Sequence, residues 1–169
     1  MKHHGRTALV VTTILAAAGC SGDRYARYAA TLHDDVDAAI VTTFQMTARL
    51  QLTVVHNQIP DDSLPVARDI VTRAAGTVNR RAAHFRTVSP PDDLLRVHAD
   101  LSLELSRVAE ALDSLAGAFQ RCAAGDPACQ AHLDSLSQRF AFMGEDLNMA
   151  RSRVQRLLEA HGILLRRVG

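Results

Sequence analysis

Apolar positions along this chain recur in alternating steps of four and three, the rhythm of a helix that buries one seam. The pattern is cleanest where Leu94, His98, Leu101, Leu105, Val108, Leu112, Leu115, Phe119 and Cys122 hold it over four heptads. After a short break it resumes through Cys129, Leu133, Leu136, Phe140, Met143, Leu147, Ala150, Val154, Leu157, His161 and Leu164. In the break, Gly125 suits the left-handed residue after a helix end, Asp126 can cap the next helix, and Pro127 fits a first helical position. Residues 90–168 therefore read as a hairpin of two antiparallel helices of about 32 and 40 residues, roughly 48 and 60 Å long at 1.5 Å per residue.

Upstream the same rhythm predicts two more helices. The first runs from about Arg24 to Val55 on a seam of Tyr25, Ala29, Leu32, Val36, Ala39, Thr43, Met46, Leu50 and Val54, with Ile40 and Phe44 widening the stripe. Asn57 to Asp62 reads as a loop around Pro60. The second begins near Ser63, buries Leu64, Ala67, Val71, Ala74, Val78, Ala82 and Phe85, and ends by Thr87. Ser89-Pro90-Pro91-Asp92 then offers a cap and early prolines for the third. The expected fold is all-α: an antiparallel up-down-up-down four-helix bundle over 24–169 with a long C-terminal helical hairpin, its connections about three to six residues long.

Composition narrows the function classes. The chain is 47% apolar and 22% charged, an ordinary globular balance. Aromatic residues make up 4% with no Trp, and the formal net charge is +1, which argues against a nucleic-acid partner held by stacked bases or phosphates. The Glu-x-x-His pairs of di-iron bundles, the Cys-x-x-Cys-His of c-type haem attachment, and the Gly-x-Ser-x-Gly and His-Glu-x-x-His motifs do not occur in the sequence. The expectation is a non-catalytic domain with no resident cofactor.

The N-terminus supplies an address. Lys2 and Arg6 precede an apolar core from Ala8 to Ala18, too short for a bilayer that needs ~20 residues, and the core ends in Ala17-Ala18-Gly19-Cys20. These residues resemble the lipobox of bacterial lipoproteins, with Ala17 where Leu is usual. The resemblance implies a signal peptide over 1–19, cleavage by signal peptidase II, and a diacylglyceryl group on Cys20, followed by a short tether through Asp23. It implies a cell-membrane or outer-membrane location facing the periplasm or the exterior, with the membrane engaged through the N-terminal lipid. Cleavage removes Lys2 and Arg6, leaving 17 basic against 18 acidic side chains, a net of −1. With Cys20 lipidated, Cys122 and Cys129 remain as an even pair in an oxidising compartment, which predicts a disulfide across the hairpin turn.

Six histidines follow the cleavage site. Turns near 60, 88 and 125 place His33, His84, His98 and His161 in the half nearest the lipid, and His56 and His132 in the other. His33, His84 and His98 are the candidates for a metal or haem site, since neutral imidazole ligates both. The competing expectation is that each ring packs on apolar neighbours and bonds to water or to a carboxylate such as Asp35 or Asp93. The lipid-proximal half, taken as 24–40, 75–105 and 148–169, has 11 Arg against 8 acids, and the rest 6 against 9. That asymmetry suits a basic face near anionic headgroups. The leading expectation is a structural or interaction module, through a protein partner or self-association. A metal- or haem-binding protein and an apolar-ligand carrier are the alternatives; the carrier would need an apolar pocket of about 300 Å³ or more.

Overall fold

Helix is the only regular structure among the described residues, which are 22–53, 59–126 and 128–165 of a computed structural model, without the side chains at 130, 132, 134, 137–139 and 141. The lipobox and Cys20, Val54 and His56, and the side chain of His132 lie outside them. Helix α1 covers 22–51 and contains one wide π turn, Leu32–Asp37. Helix α2 is Leu64–Phe85, α3 is Leu95–Ala123 after a single 3-10 turn at Asp92–Leu94, and α4 is Cys129–Ala160. Successive helices pack antiparallel as an up-down-up-down four-helix bundle.

The core follows the apolar rhythm most closely in α3 and its 3-10 lead-in, where all nine seam residues from Leu94 to Cys122 are buried. Leu101, Leu105 and Leu112 have no exposed surface, and each such side chain contributes about 2 kcal/mol by leaving water. On α2, Ala67, Ala74, Ala75 and Ala82 alternate with Val71, Val78 and Phe85, and the small side chains let neighbouring helices approach closely.

The first half of the hairpin turn forms as Gly125 dictates. Gly125 adopts φ +83°, and the Asp126 and Gly125 amides donate to the carbonyls of Arg121 and Cys122 at 3.2 and 2.9 Å, the double bond of a Schellman end. Asp126 Oδ1 then accepts from the Ala128 amide at 2.9 Å, but it does not cap α4, whose N-cap is Ala128 with no side-chain bond; Pro127 lies outside the described residues. Across this turn Cys122 and Cys129 stand at disulfide distance, their Cα atoms 5.1 Å apart.

Five details differ from the sequence pattern. Helix α4 stops at Ala160 because Gly162, at φ +77°, builds a second Schellman end: the Gly162 and Ile163 amides donate to Glu159 and Leu158 at 2.9 and 3.0 Å. The two arms are therefore 29 and 32 residues, roughly 44 and 48 Å, and His161 and Leu164 lie beyond the helix. Near the end of α4 the expected Ala150 and Val154 are buried, Arg151 is buried beside them, and Leu158 takes the place of the half-buried Leu157. On α1 Phe44 is 72% exposed instead of widening the stripe, and Tyr28, outside the expected seam, is buried. Ser89 makes no capping bond, since Pro91 in extended backbone leads straight into the 3-10 turn. Helix α1 ends at Gln51 rather than Val55, with the Leu52 and Thr53 amides turning back onto the Arg49 and Leu50 carbonyls at 3.2 and 2.9 Å.

Candidate functional site

The ionisable side chains that could do chemistry gather where α1 widens. A regular helix turns about 100° per residue, so three successive side chains cannot all face one neighbour. The π turn buries Asp35, Val36 and Asp37 together by delivering them to different neighbours. Asp35 meets α2, where its Oδ2 lies 2.6 Å from His84 Nδ1. Asp37 meets α4: Arg151 Nε and Nη2 donate to its two oxygens at 2.5 and 3.1 Å, a bidentate pair with both partners buried. Arg151 Nη1 also donates to Gln155 Oε1 at 2.6 Å. From α1 itself, His33 Nδ1 lies 3.3 Å from Asp37 Oδ2, and Arg81 of α2 donates to the Asp34 carbonyl. Buried carboxylates at this turn thus tie α1 to both flanking helices.

One layer nearer the N-terminus of α1, the Tyr28 hydroxyl and His98 Nδ1 share a buried hydrogen bond of 3.1 Å. The His98 ring centre lies 4.6 Å from that of Phe85, which is fully buried. Burial pushes the Tyr28 hydroxyl pKa well above its ordinary value and holds that of His98 below its own, since each charged form would lose water. His98 therefore fills a seam position as a neutral ring bonded to one phenol.

At the end of the bundle a single carboxylate joins three helices. Asp93, in the 3-10 turn before α3, receives the Tyr25 hydroxyl of α1 on Oδ1 at 2.7 Å and lies 2.7 Å through Oδ2 from His161 Nε2, just past α4. The Tyr25 and His161 rings stack 3.9 Å apart. The Tyr25 hydrogen bond, with a smaller contribution from His161, holds the Asp93 carboxyl below the usual carboxylate range, and the same bond raises Tyr25. Arg24 completes the joint by donating to the Pro90 carbonyl at 3.0 Å and to Asp92 at 3.3 Å.

The three histidines proposed from sequence as metal ligands take three different partners: His33 has Asp37, His84 has Asp35 and His98 has Tyr28. No group of three His, Cys, Asp or Glu side chains is arranged to hold a metal ion among the described residues. Asp35 and Asp93 are the carboxylates expected to satisfy histidines, and they do so for His84 and His161. The burial of Asp37 and Arg151 was not anticipated. A signal for Arg151 exists in the chain: Leu147, Arg151, Val154 and Leu158 keep a four-three-four step, so Arg151 occupies a seam slot.

Two grooves lie on the outer surface. One, of about 220 Å³ between α1 and α2, is flanked by Arg49, Asp69 and Arg73; the other, of about 290 Å³ between α3 and α4, by Asp100, Glu104, Asp146 and Arg153. Met46 and Ile70 also line the first and Leu103 and Met149 the second, so the walls of both mix charged and apolar side chains. No described helix is long and apolar enough to cross a membrane. Compared with protein-family models, curated proteins and solved structures, the chain matches none.

Proposed function

We propose that this protein is a lipid-anchored module of the bacterial cell envelope that serves a structural or interaction role and catalyses nothing. The observation that carries the reading is where its ionisable groups go. Asp35, Asp37, Asp93, His84, His98, His161 and Arg151 each bond to another helix or its flanking turn, so the chemistry a site would need is engaged in bracing the bundle. Large apolar side chains meanwhile stand on the outside, Phe44, Leu52, Phe142 and Met149 among them, as a surface that meets other macromolecules would have them. The anchor rests on the resemblance of Ala17-Ala18-Gly19-Cys20 to a lipobox.

Native mass spectrometry of the protein extracted from the envelope in detergent tests both parts. The expected species carries a lipid mass on Cys20 and associates with a second copy or another protein. An unmodified Cys20 refutes the anchor. A stoichiometric metal, haem or small apolar ligand would replace the module by one of the two binding alternatives.

A further inference from the structure

We infer that the end of the bundle formed by the start of α1, the α2–α3 connection and the end of α4 is itself a membrane-contact face, which lies on anionic headgroups and inserts Leu164. The inference rests on the anchored reading above, because only three residues separate Cys20 from Arg24 in α1, so a lipid there would hold this end within roughly 14 Å of the bilayer.

Three observations support the face. Leu164 is 84% exposed between Ile163 and Leu165, which pack on the core, and Leu95 on the first turn of α3 is 55% exposed. Both are apolar side chains at the end of the bundle that would meet lipid. Arg86 at the end of α2, Arg96 in the first turn of α3 and Arg156 near the end of α4 are exposed and have no acidic partner among the described residues. The acids of the same end are largely engaged: Asp23 pairs with Arg27, Asp92 with Arg24, and Asp93 with Tyr25 and His161, while Glu159 accepts from Gln155. Arg24, Arg27, Arg86, Arg96 and Arg156 against Asp23, Asp92, Asp93 and Glu159 leave this end at +1, with the three arginines outside ion pairs exposed to a bilayer surface rich in anionic lipid.

The test separates this face from the anchor by using the mature chain without lipid, exported from a secretory leader substituted for residues 1–20. It is sedimented with vesicles of phosphatidylcholine alone and with about a third phosphatidylglycerol, a composition chosen to give a negative surface potential. Binding is expected on the anionic vesicles only, and it should fall as salt rises. Removing one arginine should lower the partition coefficient about fivefold, so Arg96→Gln with Arg156→Gln should lower it about 25-fold. Leu164→Asp should lower it further, whereas Arg121→Gln at the opposite end should leave it unchanged. Circular dichroism of each variant confirms an intact bundle, since every altered side chain is exposed. Equal binding to both vesicle types, no binding to either, or insensitivity to the arginine pair overturns the face. An unlipidated Cys20 in the native protein, with anionic binding retained, would remove the anchor and leave the face standing.

Discussion

Replacing Arg151 by Leu should be one of the most damaging single changes outside the apolar core, because it strands the Asp37 carboxylate. Asp37 is 3% exposed and takes two donors from the Arg151 guanidinium. Breaking a buried pair by removing one partner costs about 3–5 kcal/mol, most of it the expense of a buried charge left alone. His33 Nδ1 stays within hydrogen-bond reach of the same carboxylate at 3.3 Å, which places the expected loss near the lower limit, about 3 kcal/mol. At about 2–4 °C per kcal/mol for a chain of this length, the melting temperature should fall by about 6–12 °C. Asp37→Leu alone should also destabilise, since it takes the bidentate acceptor away from a buried guanidinium. The double variant Asp37→Leu/Arg151→Leu puts two apolar side chains together and should return to within about 1 kcal/mol of the parent. Urea unfolding of all four proteins, followed by far-ultraviolet circular dichroism at pH 7, yields the coupling energy directly. Additive single effects, or a loss below about 1 kcal/mol for Arg151→Leu, would mean that the pair is solvated and braces nothing.

Two further outcomes follow from named contacts. The seam rhythm alone makes His98→Leu look neutral or stabilising, but the Tyr28 hydroxyl would lose its partner, so the variant should lose about 1–3 kcal/mol and Tyr28→Phe in the same chain should recover most of it; a neutral single variant would refute the bond. Because burial keeps the folded pKa of His98 below its unfolded value of about 6.5, the unfolded chain protonates first as pH falls, and the resulting loss of stability begins below about 6.5 and stops growing below the folded pKa; His98→Leu should show a shallower loss between pH 7.5 and 5, and equal slopes would contradict this. Reducing the Cys122–Cys129 link should lower the melting temperature by several degrees without abolishing the helical signal, since closing an eight-residue loop is worth about 2.5 kcal/mol; two free thiols in the denatured, unreduced protein would show that the link never forms.

The helices and most of their buried faces were legible because leucine and alanine in a four-three rhythm have few alternatives to facing a core. Helix α3 illustrates this: its entire seam, His98 included, lies where periodicity puts it. The polar interior was legible only in part. Asp35 and Asp93 could be named as acceptors for histidines, but the Asp37–Arg151 pair links positions 114 apart in sequence, and nothing local to either residue announces the other. The π turn escaped for a related reason: the seam Ala29, Leu32, Val36, Ala39 fits a regular helix, and the widening is visible only once α2 claims Asp35 and α4 claims Asp37, on either side of Val36. The end of α4 was overrun because Leu164 continues the rhythm, while Gly162, the residue that reverses the backbone, carries no apolar mark. Phe44 shows the converse, an apolar residue in phase with the seam that packing leaves outside.

The joint at Asp93 also determines how the molecule bears force. A pull on the N-terminal end of α1 acts near Arg24 and Tyr25, whose side chains grip the segment before α3 and, through Asp93, the end of α4. The load is therefore shared among three chain segments from the first turn onward. Peeling α1 from its first turn then requires several hydrogen bonds to break together. Tyr25→Phe would remove one of those bonds and let α1 begin to peel at a lower force, even where the resting stability of the bundle hardly changes.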